Sequence, residues 1–98
     1  MSLEELLAAI RGRVERATDV RGTVQFVVDG DKFIFVDPTV TPPVVVPEAK
    51  PADCTIRLSG ETFADILSGK TSPAMAFMFG KIKVEGSMGV AMAISRIL

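Results

Sequence analysis

The chain has no histidine, one cysteine and no apolar run long enough to cross a bilayer. Each shortage removes a class of function. Without histidine the commonest general base, proton shuttle and metal ligand is missing. A lone Cys54 cannot close an internal disulfide and supplies no Cys/His cluster at metal-ligand spacing. The longest charge-free windows, residues 38–47, 71–80 and 86–95, are ten residues each, against the ~18–20 that a membrane-spanning helix needs. With 11 basic and 12 acidic residues the net charge is −1, so no overall field draws nucleic acid or acidic ligands. Glu4 and Glu5 stand where a secretory signal would place positive charge. A cytoplasmic protein forming one domain over residues 1–98 is expected, because a chain of this length encloses one core.

What the chain has in excess is apolar material. Hydrophobic residues make up 48% and the mean hydropathy is +0.38, in a chain so small that most residues must lie near the surface. Some of that material must face something other than a plain core.

Leu3, Leu6, Leu7, Ile10 and Val14 recur at helical spacing with charged residues turned away, and Ser2 and Glu5 have the spacing of a capping box. This predicts an amphipathic helix ending near Thr18. From Gly22 the pattern changes to β-rich runs over 23–28 and 32–37, separated by Asp29-Gly30-Asp31, whose Asp-Gly pair predicts a tight hairpin. The hairpin's faces stay ambiguous: Val24, Phe26 and Val28 share one face, but Phe33 and Phe35 oppose Ile34 and Val36, and both sets are apolar. Val44, Val45 and Val46 are bounded by prolines that lack amide donors, which predicts an edge or an irregular piece. Cys54, Ile56 and Leu58 alternate with Asp53, Thr55 and Arg57, the pattern of a half-buried strand. Ser59 or Gly60 then opens a helix with Phe63, Ile66 and Leu67 on one stripe, and Gly69 ends it. Ser72-Pro73 starts a short helix stopped by Gly80, residues 81–85 alternate as a last strand, and Ser87 caps a final helix running through Leu98. The order predicts an α+β fold, with a sheet covered on one face by helices.

Candidates for chemistry are few. Cys54 sits at an inward strand position with no base beside it in sequence, as a small buried hydrophobe would. Glu61 and Asp65 flank an apolar stripe as its solvated face, and no glycine-rich segment carries the spacing of a phosphate loop. Lys70, Lys81 and Lys83 form a weak basic cluster, explained by solvated lysines or by transient contact with an anionic membrane surface. No catalytic residue, cofactor or metal is expected.

Two segments stand out instead. Residues 73–79 read Pro-Ala-Met-Ala-Phe-Met-Phe, with no polar residue on any side, and the last helix is apolar around most of its circumference. A helix apolar all round is buried, covers an apolar ligand, or meets another protein. Met75, Met78, Met88 and Met92 favour a ligand, because thioether side chains adapt to guests of varied shape, although ordinary core filling uses methionine too.

At these residues the chain resembles the sterol carrier protein 2 family of lipid-transfer domains. The resemblance is carried by Ala52, Asp53, Cys54, Thr55 and Ile56; by Phe63, Gly69, Lys70 and Pro73; by Ala76 and Phe77; by the run Gly80, Lys81, Ile82, Lys83, Val84; and by Gly86, Met88, Gly89, Ala91 and Met92. It is dense over residues 52–92, and Gly22, Phe26 and Gly30 fall where the family's first hairpin would. It implies a mostly antiparallel five-stranded sheet packed on helices with an apolar tunnel between the layers. It also implies reversible, non-catalytic binding of fatty acids, fatty acyl-CoAs, phospholipids or sterols. The ending Arg96-Ile97-Leu98 is not the Ser-Lys-Leu type that addresses proteins to peroxisomes, and a proline-rich stretch over 42–47 replaces a more regular strand region. The expected lining is Phe26, Phe33 and Phe35 from the hairpin, Ile66, Met75, Phe77 and Met78 from the middle helices, and Ile82, Met88 and Met92 beyond them. Arg21 is a candidate anchor for a lipid carboxylate. The alternative is an accessory module of the same fold, docking on a lipid-metabolism enzyme or dimerising through its apolar last helix. An enzyme using Cys54 and Asp53 ranks last.

Overall fold

The computed structural model describes residues 2–16 and 19–98. Helix α1 (Leu3–Val14) opens on the expected capping box: the Ser2 hydroxyl accepts from the Glu5 amide at 3.2 Å, and the Glu5 carboxylate accepts from the Ser2 amide at 3.1 Å. Leu6, Leu7, Ile10 and Val14 are buried along one stripe. The end expected near Thr18 lies outside the described residues.

Strands β1 (Val24–Val28) and β2 (Lys32–Asp37) pair antiparallel with Phe26 opposite Ile34. Asp29 and Gly30 turn the chain at φ 55° and 77°, a left-handed pair that Asp tolerates and Gly adopts freely. The register removes the ambiguity of the hairpin. Val24, Phe26 and Val28 face the core with Ile34 and Val36, while Phe33 and Phe35 point to the opposite face.

Strand β3 (Val44–Val46) pairs with β2 at the sheet edge, where the Arg11 guanidinium donates to the Val45 carbonyl at 2.9 Å and ties α1 across it. Among the described residues the sheet has five strands in the order β3-β2-β1-β4-β5, with β5 (Ile82–Gly86) at the far edge. Strand β4 (Cys54–Leu58) runs parallel to β1, and the other neighbours are antiparallel. A parallel pair needs a crossover. Residues 47–53 supply it without a helix: the Lys50 amide donates to Gln25 Oε1 at 2.7 Å, and the Lys50 ammonium lies 5.3 Å from the Phe35 ring centroid. This strap crosses the outer sheet face and accounts for the burial of Gln25 and Phe35 there.

Helices α2 (Gly60–Leu67), α3 (Pro73–Met78) and α4 (Met88–Ser95) begin alike: the hydroxyls of Ser59, Ser72 and Ser87 each accept from the amide three residues on. Arg13 donates to the Leu67 carbonyl at 2.6 Å, satisfying the end of α2. Helix α4 stops short of the expected run to Leu98. Ser95 Oγ donates to the Met92 carbonyl at 2.7 Å, and the amides of Arg96 and Ile97 reach only three residues back, which tightens and ends the helix. The helices lie on the inner sheet face, α1 against β3, α3 against β5, and α4 across β1, β4 and β5.

The passage from β5 into α4 demands glycine. Gly86 has φ 89°, and a Cβ there would sit 2.5 Å from the Asp53 carbonyl oxygen. Gly86→Ala should cost roughly 2–4 kcal/mol, combining the backbone penalty with that clash. Gly12→Ala, on α1 with nothing within 4 Å of the new methyl, should instead stabilise by about 0.5–1 kcal/mol. Urea midpoints at constant slope measure both shifts.

Candidate apolar binding site

The alternating strands supply a floor. Phe26 of β1, Ile56 and Leu58 of β4, and Ile82 and Val84 of β5 face a cavity of about 440 Å³ under the helical layer. Its floor is rigid: the Phe26 ring packs 5.0 Å from the Phe63 centroid, tilted by 32°, and neither ring is exposed. Ile66 of α2 borders the cavity. Pro73, Ala74, Phe77 and Met78 of α3 form one wall, and Met88, Ala91 and Met92 of α4 form the other. The mouth is open, with Phe77, Met78, Met88 and Met92 on its rim each about half exposed or more. Only Ser95 and Arg96, near the end of α4, interrupt the apolar lining.

Of the residues expected to line a cavity, Phe26, Ile66, Phe77, Met78, Ile82, Met88 and Met92 border this one. Phe33, Phe35 and Met75 do not. The hairpin register turns Phe33 and Phe35 to the outer face, where Phe35 lies under the Lys50 strap. On α3, Ala76 takes the core position and Ala74, Phe77 and Met78 share the cavity side, which leaves Met75 outward. Arg21 also lies off the cavity and exposed; the charged side chain on the wall is Arg96. Ile56, Leu58 and Val84 were absent from the expected lining although the strand alternation turns them inward with Ile82. For Ser95 and Arg96 no sequence pattern pointed to the wall, since the helix was expected to continue through them.

The candidate reactive groups are structural. Cys54 is buried on the inner face, and burial, reinforced by the Asp53 charge, pushes its thiol above the ordinary range. It is therefore held as the neutral, non-nucleophilic form. Asp53 Oδ2 accepts from the Thr23 amide at 2.9 Å and its hydroxyl at 3.3 Å. Among the described residues no three of Asp, Glu, Cys or His approach as a metal site would require, and no helix is long and apolar enough to cross a membrane.

Fold and site together define a class: an α+β domain whose helical layer and sheet enclose an open apolar cavity. The profile of the SCP-2 sterol transfer family matches residues 3–98, and the chain belongs to that family. Family and fold mark a lipid-binding or lipid-transfer domain. Human sterol carrier protein 2 is 42% identical over 48 residues, 49% of this chain and 9% of that protein. Hydroxysteroid dehydrogenase-like protein 2 of Xenopus laevis is 34% identical over 103 aligned positions, covering 98% of this chain and 24% of that protein. The chain thus spans a quarter or less of these curated relatives. Among solved structures, sterol carrier protein 2 like 2 from Aedes aegypti superimposes with a TM-score of 0.83 at 19% identity, over 98% of this chain and 95% of that one. A solution structure of the palmitated form from the same organism gives 0.79 at 22% identity, over 99% and 94%.

If Cys54 is packing rather than chemistry, Cys54→Ala leaves any ligand affinity unchanged and destabilises by about 1–2 kcal/mol. Because the folded thiol titrates above its unfolded value, its contribution is complete below the unfolded thiol's pKa and is lost as pH rises through the folded one. Stability curves on the alkaline side should therefore fall more steeply for the wild type than for Cys54→Ala. Equal slopes would refute this.

Proposed function

We propose that the chain binds slender lipids reversibly in the cavity between α3 and α4 and carries them without chemical change, residues 1–98 acting as one lipid-binding domain. The observation that carries this reading is the cavity wall, apolar throughout except for Ser95 and Arg96. Its volume of about 440 Å³ falls within the ~300–1,000 Å³ range of small-molecule sites. The buried neutral Cys54 supports a carrier rather than a catalyst. The palmitated relative from Aedes aegypti supports a fatty acyl guest. Arg96, the charged residue on this wall, favours guests with an anionic head, which puts fatty acids and phospholipids ahead of sterols.

A sixteen-carbon chain buried at ~0.8 kcal/mol per methylene gains roughly 12 kcal/mol gross. Ordering the ligand and losing its free motion offset several kcal/mol of that, so affinity near micromolar or somewhat tighter follows. Selectivity by chain length is shallow, at ~1–3 kcal/mol per methylene.

Native mass spectrometry with solvent extraction is the direct test. A fatty acid, acyl-CoA or phospholipid bound near one to one is the expected result. A clean protein mass, with no uptake of any of these or of sterol, would sink the carrier reading and move the apolar helices to a protein interface. Ala91→Phe, which extends a ring from α4 into the cavity, should weaken fatty-acid binding about tenfold or more. The melting temperature, followed in parallel, should move by only a few degrees.

A further inference from the structure

We infer that the face formed by α3 and α4 docks on anionic lipid bilayers and presses the cavity mouth against them. The inference rests on the reading of the cavity as a lipid site, and extends it to where lipid enters and leaves.

Three observations coincide on this face. Apart from Val40, every exposed large apolar side chain among the described residues lies within residues 75–92. At the tip, Met78 and Phe79 are 76% and 69% exposed, beside the Gly80 turn at φ 72°. The second observation is charge. Lys70 and Lys81 flank α3 and Arg96 ends α4, whereas Lys83 and Glu85 lie on the outer sheet face opposite Arg57 and Thr55; residues 1–65 carry seven basic and eleven acidic residues, a net of −4. Glu85 is itself engaged by Arg57 at 3.1 Å. Among the described residues none of Lys70, Lys81, Lys83 and Arg96 forms an ion pair. Lys70 precedes α3 by three residues and Lys81 follows it by three, so cations bracket the most exposed apolar helix. The third is continuity: Phe77, Met78, Met88 and Met92 belong both to the patch and to the cavity rim.

An apolar tip between lysines matches a surface with anionic heads over acyl chains. A second copy fits poorly, because a twofold contact through this face would set like charges against each other. Helix α1 is no competitor, since its exposed side mixes Glu4 and Glu5 with Arg11 and Arg13, and both arginines are tied to the Val45 and Leu67 carbonyls. Seated on this face, the protein exchanges its guest directly with the bilayer, and the guest never crosses water.

The test is flotation of the purified protein with phosphatidylcholine vesicles, with and without phosphatidylglycerol, beside fatty-acid titrations free of vesicles. Binding should be at least tenfold tighter with phosphatidylglycerol and should weaken with salt. At about fivefold per lysine, Lys70→Gln with Lys81→Gln should remove most of that gain. Phe79→Ser should weaken binding to both vesicle types. None of these residues borders the cavity, so fatty-acid affinity should stay unchanged, and the lysine pair keeps the test valid if Phe79→Ser fails to fold. Failure to float with intact fatty-acid binding overturns the docking face and leaves the carrier reading standing. Flotation without fatty-acid binding does the reverse. A dimer that Phe79→Ser dissolves assigns the patch to a second copy and also overturns the inference.

Discussion

The parallel seam between β1 and β4 is the constraint on which the rest of the molecule depends, and Asp53 fastens it. Its amide donates to Thr23 Oγ1 at 3.0 Å while its carboxylate accepts from the Thr23 amide at 2.9 Å, and the Cys54 amide then bonds the Thr23 carbonyl to begin the ladder. Its carbonyl accepts from the Ser87 amide at 2.8 Å, where α4 starts. One residue thus sets the register of the central strands and the launching point of the helix over the cavity. A slip of one position would turn Cys54, Ile56 and Leu58 away from the face that carries Phe26. The junction tolerates little bulk, since a Cβ on Gly22 would meet Asp53 Oδ2 at 2.8 Å and Val90 Cγ2 at 2.6 Å.

From this seam the molecule divides into a packed half and a hollow one. Helix α1 fills the side of β2 and β3 with Leu6, Leu7, Ile10 and Val14, so that half resembles an ordinary core. Over β4 and β5 the cover is α3 and α4, and α3 buries only Ala76. Six residues are too few for a helix to persist on propensity. Its support is the Ser72-Pro73 start and the Lys81 amide, which donates to the Ala76 carbonyl at 2.9 Å. So few buried contacts place α3 among the elements that open most readily, beside the mouth of the cavity.

Much of this was legible because local rules and tertiary structure agree. The alternations at Cys54, Ile56, Leu58 and at Ile82, Val84, the Ser2–Glu5 box, and the serine caps of α3 and α4 all stand where the sequence placed them. The faces of the hairpin were not legible, because Phe35 is dried by a strap of residues distant in sequence, and the Lys50–Gln25 bond that places the strap has no local signature. The lining was readable where a strand or helix face is forced and unreadable at α3, whose uniform apolarity carries no periodicity to say that Met75 points away. The family likeness is dense over 52–92 for a physical reason. Asp53 makes hydrogen bonds of 2.9 and 3.0 Å to Thr23, and a Cβ on Gly86 would come within 2.5 Å of the Asp53 carbonyl oxygen, so few alternatives fit at either, whereas the apolar stripe of α1 is met by any leucine, isoleucine or valine of similar volume.

The distribution of side-chain stiffness around the cavity suits the proposed carrier function. Its floor is built from Phe26, Ile56, Leu58 and Val84 on hydrogen-bonded strands, and its rim from Met78, Met88 and Met92 on short helices. A rigid floor keeps the cavity from collapsing when no guest fills it, since the strand register, not the guest, holds those side chains apart. A flexible rim closes over guests of different length at small cost, because a methionine exchanges rotamers where a branched side chain would clash. Strong selectivity would need buried polar groups that only one ligand satisfies, and Ser95 and Arg96 lie together at one end of an otherwise apolar wall. The apolar wall and its polar end are therefore separate, and under the proposed carrier function a guest held at both loosens at one end before it leaves the other, so that release need not wait for the whole apolar contact to break at once.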